Sequence, residues 1–272
     1  MLLANKNAVI YGGGGSLGSA VANALASEGA RVFLVGRHPD TVERAAQAIL
    51  SAGGKAEADQ VDALNETQVT DHLNRVVSKY GSVDISFCAV DLKPVQGIPL
   101  VDMKTDDFVR PVTLAMQSMF ITAKAAGRIM QRQRSGVILS LTATSSGVAY
   151  PYTGGFAPAG AAIELVSKNL AAELGVYGIR VVNIRSAGSP DSRVFQDVLK
   201  NNPQLMEGVL RGMEDDTMLK RLPLMKDIAH VAVFLCSELA RQITGVTIDV
   251  TAGSTSGLNY RAARQGNWPR EY

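Results

Sequence analysis

Short apolar runs alternate along the chain with longer stretches in which apolar residues recur every three or four positions. The short runs fit strands buried on both faces, and the 3.6-residue recurrence fits helices with one buried side. Read this way, strands fall at 8–11, 31–35, 55–61, 84–90, 136–141, 178–184 and 246–250. Helices fall near 16–28, 41–52, 66–79, 105–132, 160–175 and 226–239. A helix between successive strands returns the chain across the sheet and allows parallel pairing. The pattern therefore predicts an α/β chain, a doubly wound seven-stranded parallel sheet with helices on both faces.

Two segments leave this rhythm. Residues 189–224 are rich in Pro, Asp and Met with weak helical periodicity, and have the length of a lid; residues 254–272 form a polar tail. Arg261, Arg264, Trp268 and Arg270 in that tail fit either a loosely ordered end or an arm packed on a neighbouring subunit. Neither a repeat nor an interdomain linker interrupts the chain, so one domain over 1–272 is expected, and 46% hydrophobic residues suffice for its core.

Charge removes several function classes. The 27 basic and 25 acidic residues, net +2, are interspersed. No patch invites nucleic acid or an anionic membrane, and a small-molecule partner is expected. The first residues lack a signal peptide's basic and apolar regions, and no apolar run reaches about 18 residues, so a soluble cytoplasmic protein is expected. Cys88 and Cys236 lack metal or disulfide spacing and read as buried thiols.

The first chemical signal is Tyr11-Gly12-Gly13-Gly14-Gly15-Ser16-Leu17-Gly18, between the first strand and an Ala-rich helix. Glycines allow positive φ and close approach of backbone to a diphosphate, and the helix start offers free N–H groups and a favourable dipole. This is the context of a Rossmann-type dinucleotide site, with Gly12, Gly14, Gly15, Ser16, Leu17 and Gly18 as candidate contacts. In NAD-binding units a carboxylate ends the second strand. Here 31–35 runs into Gly36-Arg37-His38. A guanidinium without a carboxylate suits a 2′-phosphate, which points to NADP(H) rather than NAD(H). Arg37 also reads as a solvated strand-end charge. Val61 and Asp62, ending the third strand, are placed to meet the adenine, or Asp62 caps a helix.

The chain resembles the short-chain dehydrogenases/reductases over residues 3–253. The segment Leu3 to Gly12 is similar to that family's first strand, and Tyr11 to Gly18 to its T-G-x-x-x-G-x-G turn, with Tyr11 for Thr and Ser16 for the middle glycine. Leu170-Ala171-Ala172-Glu173-Leu174, Gly178-Ile179-Arg180-Val181 and Ile243-Thr244-Gly245 to Gly253 resemble its later helix and last two strands. The resemblance implies carbonyl–alcohol redox chemistry carried by Asn, Ser and a Y-x-x-x-K pair. Counting from the flanking matches places these on Ala115, Ala143, Phe156 and Gly160, and the family's N-N-A-G on Cys88-Ala89-Val90-Asp91.

None of the four can protonate or stabilise an oxyanion. Losing a general acid costs about 10²–10⁴ in rate. The hydroxyl-rich loop after the fifth strand is the place for a migrated role, with Tyr152 or Tyr150 as acid and Thr144 or Ser145 as donor. Alternatively, the tyrosines wall an apolar pocket and the hydroxyls satisfy loop backbone. Lys168, about 12 Å along the helix from Gly160, is too far to replace the ammonium. The resemblance also places Ser189 at the nicotinamide amide, and Met206, Met213, Met218 and Leu219 in a deformable lid or in the core of a short helix. It further implies a homodimer or homotetramer through the helices at 105–132 and 160–175.

Three functions fit: a reductase whose acceptor needs no protein acid, such as an iminium carbon or a polarised conjugated double bond; a nucleotide-binding sensor or inactive partner; and a non-redox enzyme on the same scaffold.

Overall fold

A computed structural model describes residues 1–256. The tail arginines and Trp268 lie outside the described residues. Seven strands, β1 (Asn7–Tyr11), β2 (Arg31–Gly36), β3 (Lys55–Gln60), β4 (Ile85–Cys88), β5 (Gly136–Ala143), β6 (Ile179–Ser186) and β7 (Thr247–Val250), pair in parallel in the order β3-β2-β1-β4-β5-β6-β7. Six expected helices are present: α1 (Ser16–Ser27), α2 (Pro39–Ser51), α3 (Glu66–Tyr80), α4 (Thr105–Gln133), α5 (Phe156–Leu174) and α8 (Met225–Cys236). The 189–224 segment adds α6 (Arg193–Asn201) and α7 (Pro203–Asp215). Among the described residues no helix is long and apolar enough to cross a membrane.

The central strand shows why the sheet is covered twice. All five residues of β1 are buried, and alternate side chains enter opposite cores. Ala8 and Ile10 join α1, α2 and α8, whereas Val9 and Tyr11 join α3, α4 and α5. Local chemistry sets the boundaries. Pro39 opens α2, where its missing N–H costs nothing. Asn65 caps α3 by accepting from Gln68 N at 3.0 Å, and Gly81 ends it with φ 87°.

Among the boundaries that differ from the sequence pattern, two bear on the clefts at the sheet edge. β4 stops at Cys88, because Ala89, Val90 and Asp91 turn off the sheet to line the clefts at its edge. α5 starts four residues earlier than expected, at Phe156, where its N-cap Gly155 lies so close to α4 that a Cβ would overlap Phe108 O. Strand order reverses between β1 and β4, and carboxyl ends diverging at such a point open a crevice where ligands bind in sheets of this kind.

The 189–224 segment borders that crevice through Arg193. α6 buries no residue, Met206 of α7 is buried, and Met218 and Leu219 are exposed. Met213 and Phe195 pack over Gly188, where a Cβ would come within 2.6 Å of both side chains. The lid is tied at both sides: Arg193 N donates to Ser16 Oγ at 3.0 Å, and Met225 N donates to the Asp191 carboxylate at 3.1 and 3.2 Å.

Candidate active site

The glycine turn is hooked to the neighbouring strand, as Gly12 N and Gly13 N donate to Val35 O at 2.9 and 3.1 Å. Gly12 has φ 79°, and a Cβ there would overlap Ala89 O; one on Gly18 would overlap Gly12 O, and one on Gly14 would overlap Thr41 Oγ1. The turn thus packs backbone on backbone, which no larger residue allows. Gly15 caps α1 without a side-chain bond, leaving the N–H groups of its first turn without intrahelical acceptors, an anion-binding arrangement.

In front of this turn lies a cleft of about 370 Å³. Of the expected cofactor contacts, Gly12, Gly14, Gly15, Arg37, Val61 and Asp62 line it. Ser16, Leu17 and Gly18 form the helix turn behind, with the Ser16 hydroxyl already engaged by Arg193 N. No carboxylate ends β2, and Arg37 is exposed at its mouth. Asp62 does not cap α3, since Asn65 does; it braces its own turn by accepting from Leu64 N at 3.0 Å. Lys93 and Arg193 add two cationic side chains to the lining. Ser189 stands apart from this wall, with a buried hydroxyl that has no hydrogen-bond partner.

A second cavity, about 200 Å³, adjoins the first at the ends of β4, β5 and β6. Ala143, Phe156 and Gly160 line it. Ala115 is fully buried beside Ala159 and Ile163 in a small apolar cluster. At Gly160 the space for a side chain is taken: a Cβ would overlap Ser146 Oγ and lie 2.9 Å from Ser146 Cβ. Ser146 faces the cavity and went unnoticed in the sequence, where it was one hydroxyl among several in a loop.

The four expected catalytic side chains do not converge on this cavity. Tyr150 and Tyr152 are 42% and 57% exposed and lie outside its lining. Tyr152 instead takes part in joining two loops, with φ 62° and its carbonyl accepting from Gly97 N at 2.8 Å. Thr144 Oγ1 donates to Ser186 O at 3.4 Å and lies 3.3 Å from Ser254 Oγ, and the Ser145 hydroxyl is buried without a partner. The turn Thr144–Ser146 directs only its last hydroxyl to the cavity. Lys168 is exposed on α5.

Under the cavity runs a buried polar chain that the periodicity did not foretell. Ser140 Oγ donates to Asn183 Oδ1 (2.8 Å), Asn183 Nδ2 to Thr142 Oγ1 (2.7 Å), and Thr142 Oγ1 to Glu164 Oε1 (2.9 Å). Arg185 completes it, donating through Nε and Nη2 to Glu164 (3.0 and 2.6 Å) and through Nη1 to Asp249 (2.9 Å). Each charge is paired with a fork geometry suited to carboxylates. The available signal was charge at inward positions, with Glu164 on the apolar side of α5 and Arg185 in β6.

The cavity holds little acid–base capacity. Burial pushes the Cys88 thiol above its ordinary range, against smaller opposing effects from hydrogen bonds to Val90, Thr122 and Ser118. Among the described residues Asp91 is the one carboxylate in the lining, and no Lys, Arg or His lines it. The remaining polar groups are hydroxyls, which orient and donate hydrogen bonds but do not give up a proton near neutral pH.

A family model described as enoyl-(acyl carrier protein) reductase matches residues 13–255. Tropinone reductase-like 1 of Erythroxylum coca is 30% identical over 263 residues, covering 96% of this chain and 94% of its own. Two solved structures, both under 25% identical, share the fold. NAD+-bound xylitol dehydrogenase aligns with TM-score 0.86 at 23% identity, over 93% of this chain and all of that one. A gluconate 5-dehydrogenase from Burkholderia cenocepacia J2315, in complex with NADP and tartrate, aligns with TM-score 0.83 at 22% identity, over 94% and 97%.

Proposed function

The chain belongs to the short-chain dehydrogenase/reductase family of oxidoreductases, and on that premise we propose that it is an NADP(H)-dependent reductase whose acceptor takes hydride without a proton from a protein phenol. One pairing carries this reading. The nucleotide cleft keeps its glycine cradle and presents Arg37 where a carboxylate would serve NAD, while among the described residues no phenol or ammonium lines the adjoining cavity to protonate an alkoxide.

The residues present fit the cofactor. The close-packed turn leaves the first-turn N–H groups of α1 for a diphosphate. Val61 and Asp62 would border the adenine, Arg37 would take the 2′-phosphate through its fork of donors, and the partnerless Ser189 hydroxyl would meet the amide. When bound, the cofactor supplies the hydride. The protein aligns the acceptor and excludes water between Phe156 and Met119, and Ser146 and Ser186 orient it by hydrogen bonding. Exposed Phe120 on α4 and Leu165 on α5 support a homodimer or homotetramer closed through these helices; a monomeric mass in light scattering rejects that part.

The test is a titration with NADPH, NADH and NADP⁺, repeated with Arg37→Asp, followed by deuterium transfer from labelled NADPH to a carbonyl, an iminium and an enone. Tighter NADPH binding that the substitution abolishes supports the cofactor assignment, and equal affinities overturn it. Binding without label transfer to any acceptor overturns the reductase. It would favour a nucleotide sensor, a reading to which the closure of Gly160 by Ser146 lends weight.

A further inference from the structure

We infer that the acceptor is a cation, an iminium ion held by Asp91 and the Phe156 ring; this rests on the reductase reading above. The sign of the cavity's charge favours a cation. A ketone or enone develops negative charge as hydride arrives, and a site for it needs a cation or strong donors at the oxygen. Among the described residues the cavity carries the opposite sign: its one carboxylate is Asp91, with no basic side chain in the lining. At the Tyr position, Phe156 presents an aromatic ring, whose face attracts cations.

Asp91 lines both the cavity and the nucleotide cleft, at their junction. Asp91 is exposed and among the described residues makes no ion pair; its Oδ1 accepts only from its own turn, Lys93 N at 2.9 Å. An iminium carbon gains a C–H bond, the C=N π pair becomes a nitrogen lone pair, and the positive charge passes to the oxidised nicotinamide, so no proton moves. Asp91, at the junction of the two clefts, would attract a cationic acceptor. It would oppose an enolate or alkoxide by the same attraction.

The probes are N-methylpyrrolinium, its neutral ring counterpart cyclopentanone, and the non-reducible N,N-dimethylpyrrolidinium, on NADPH-saturated protein. Deuterium should reach the pyrrolinium carbon and not the ketone. By calorimetry, Asp91→Asn should weaken the quaternary cation about 3–10-fold without weakening NADPH, because it keeps the acceptor for Lys93 N and removes only a partly screened charge. Phe156→Leu should weaken the cation more than it weakens cyclopentanone. Reduction of the ketone as fast as the pyrrolinium, or a cation affinity indifferent to Asp91→Asn, overturns the inference and leaves the reductase standing. Parallel weakening of NADPH assigns Asp91 to the cofactor and also overturns it. Asp91-dependent cation binding with no label transfer supports cation recognition and overturns the reductase.

Discussion

Gly160→Ala is the sharpest probe of how the cavity is closed. Gly160 lies inside α5, where alanine is intrinsically favoured over glycine by about 1 kcal/mol. The added Cβ would overlap Ser146 Oγ and stand 2.9 Å from Ser146 Cβ. Turning the hydroxyl to another rotamer relieves the first contact. The second requires the Thr144–Ser146 turn to move by a few tenths of an ångström. Overpacking of this kind costs about 1–3 kcal/mol, so the helix gain is offset and the net change is a loss of about 0–2 kcal/mol. In a Ser146→Gly background both clashes vanish, and the same substitution should stabilise by about 1 kcal/mol. Urea unfolding of the four proteins gives the coupling directly, expected at about 1–3 kcal/mol. Additive effects within about 0.5 kcal/mol would refute the claim that Ser146 fills the space a side chain at 160 would take. With strong coupling, a lysine at 160 becomes tolerable only after Ser146 is removed.

Three further outcomes follow from the same coordinates. Glu164→Ala strands the Arg185 guanidinium beside a lone Asp249 and should cost about 3–5 kcal/mol in urea unfolding, with Glu164→Gln milder; a loss below about 1 kcal/mol would contradict the pairing. The hydrogen bond from His72 lowers the Asp59 pKa in the folded protein. Its stabilisation is therefore complete above the unfolded carboxylate range, near pH ~4, and fades as pH falls through the lower folded value. Urea midpoints of wild type and Asp59→Asn should converge in acid and separate at pH ~6, and a constant gap would reject the linkage. Burial pushes the Cys236 thiol up to about 12, so iodoacetamide near neutral pH should not label it until the chain unfolds; rapid native labelling would refute its burial.

What the sequence alone determined is what depends on local order. Strand and helix positions follow from periodicity, so the seven-stranded doubly wound sheet was legible, as was the nucleotide turn, whose glycines are consecutive in the chain. Ser146, Asp91 and the tyrosines were decided only by the tertiary structure. Which hydroxyl of the Thr144–Ser146 turn faces the cavity depends on how that turn meets α5 across the gap at Gly160, and no spacing encodes it. Tyr150 and Tyr152 are exposed, in a loop where Tyr152 adopts φ 62°, a conformation that side-chain type does not reveal. Glu164, Arg185 and Asp249 come from α5, β6 and β7, and their charges become tolerable only where packing brings them together.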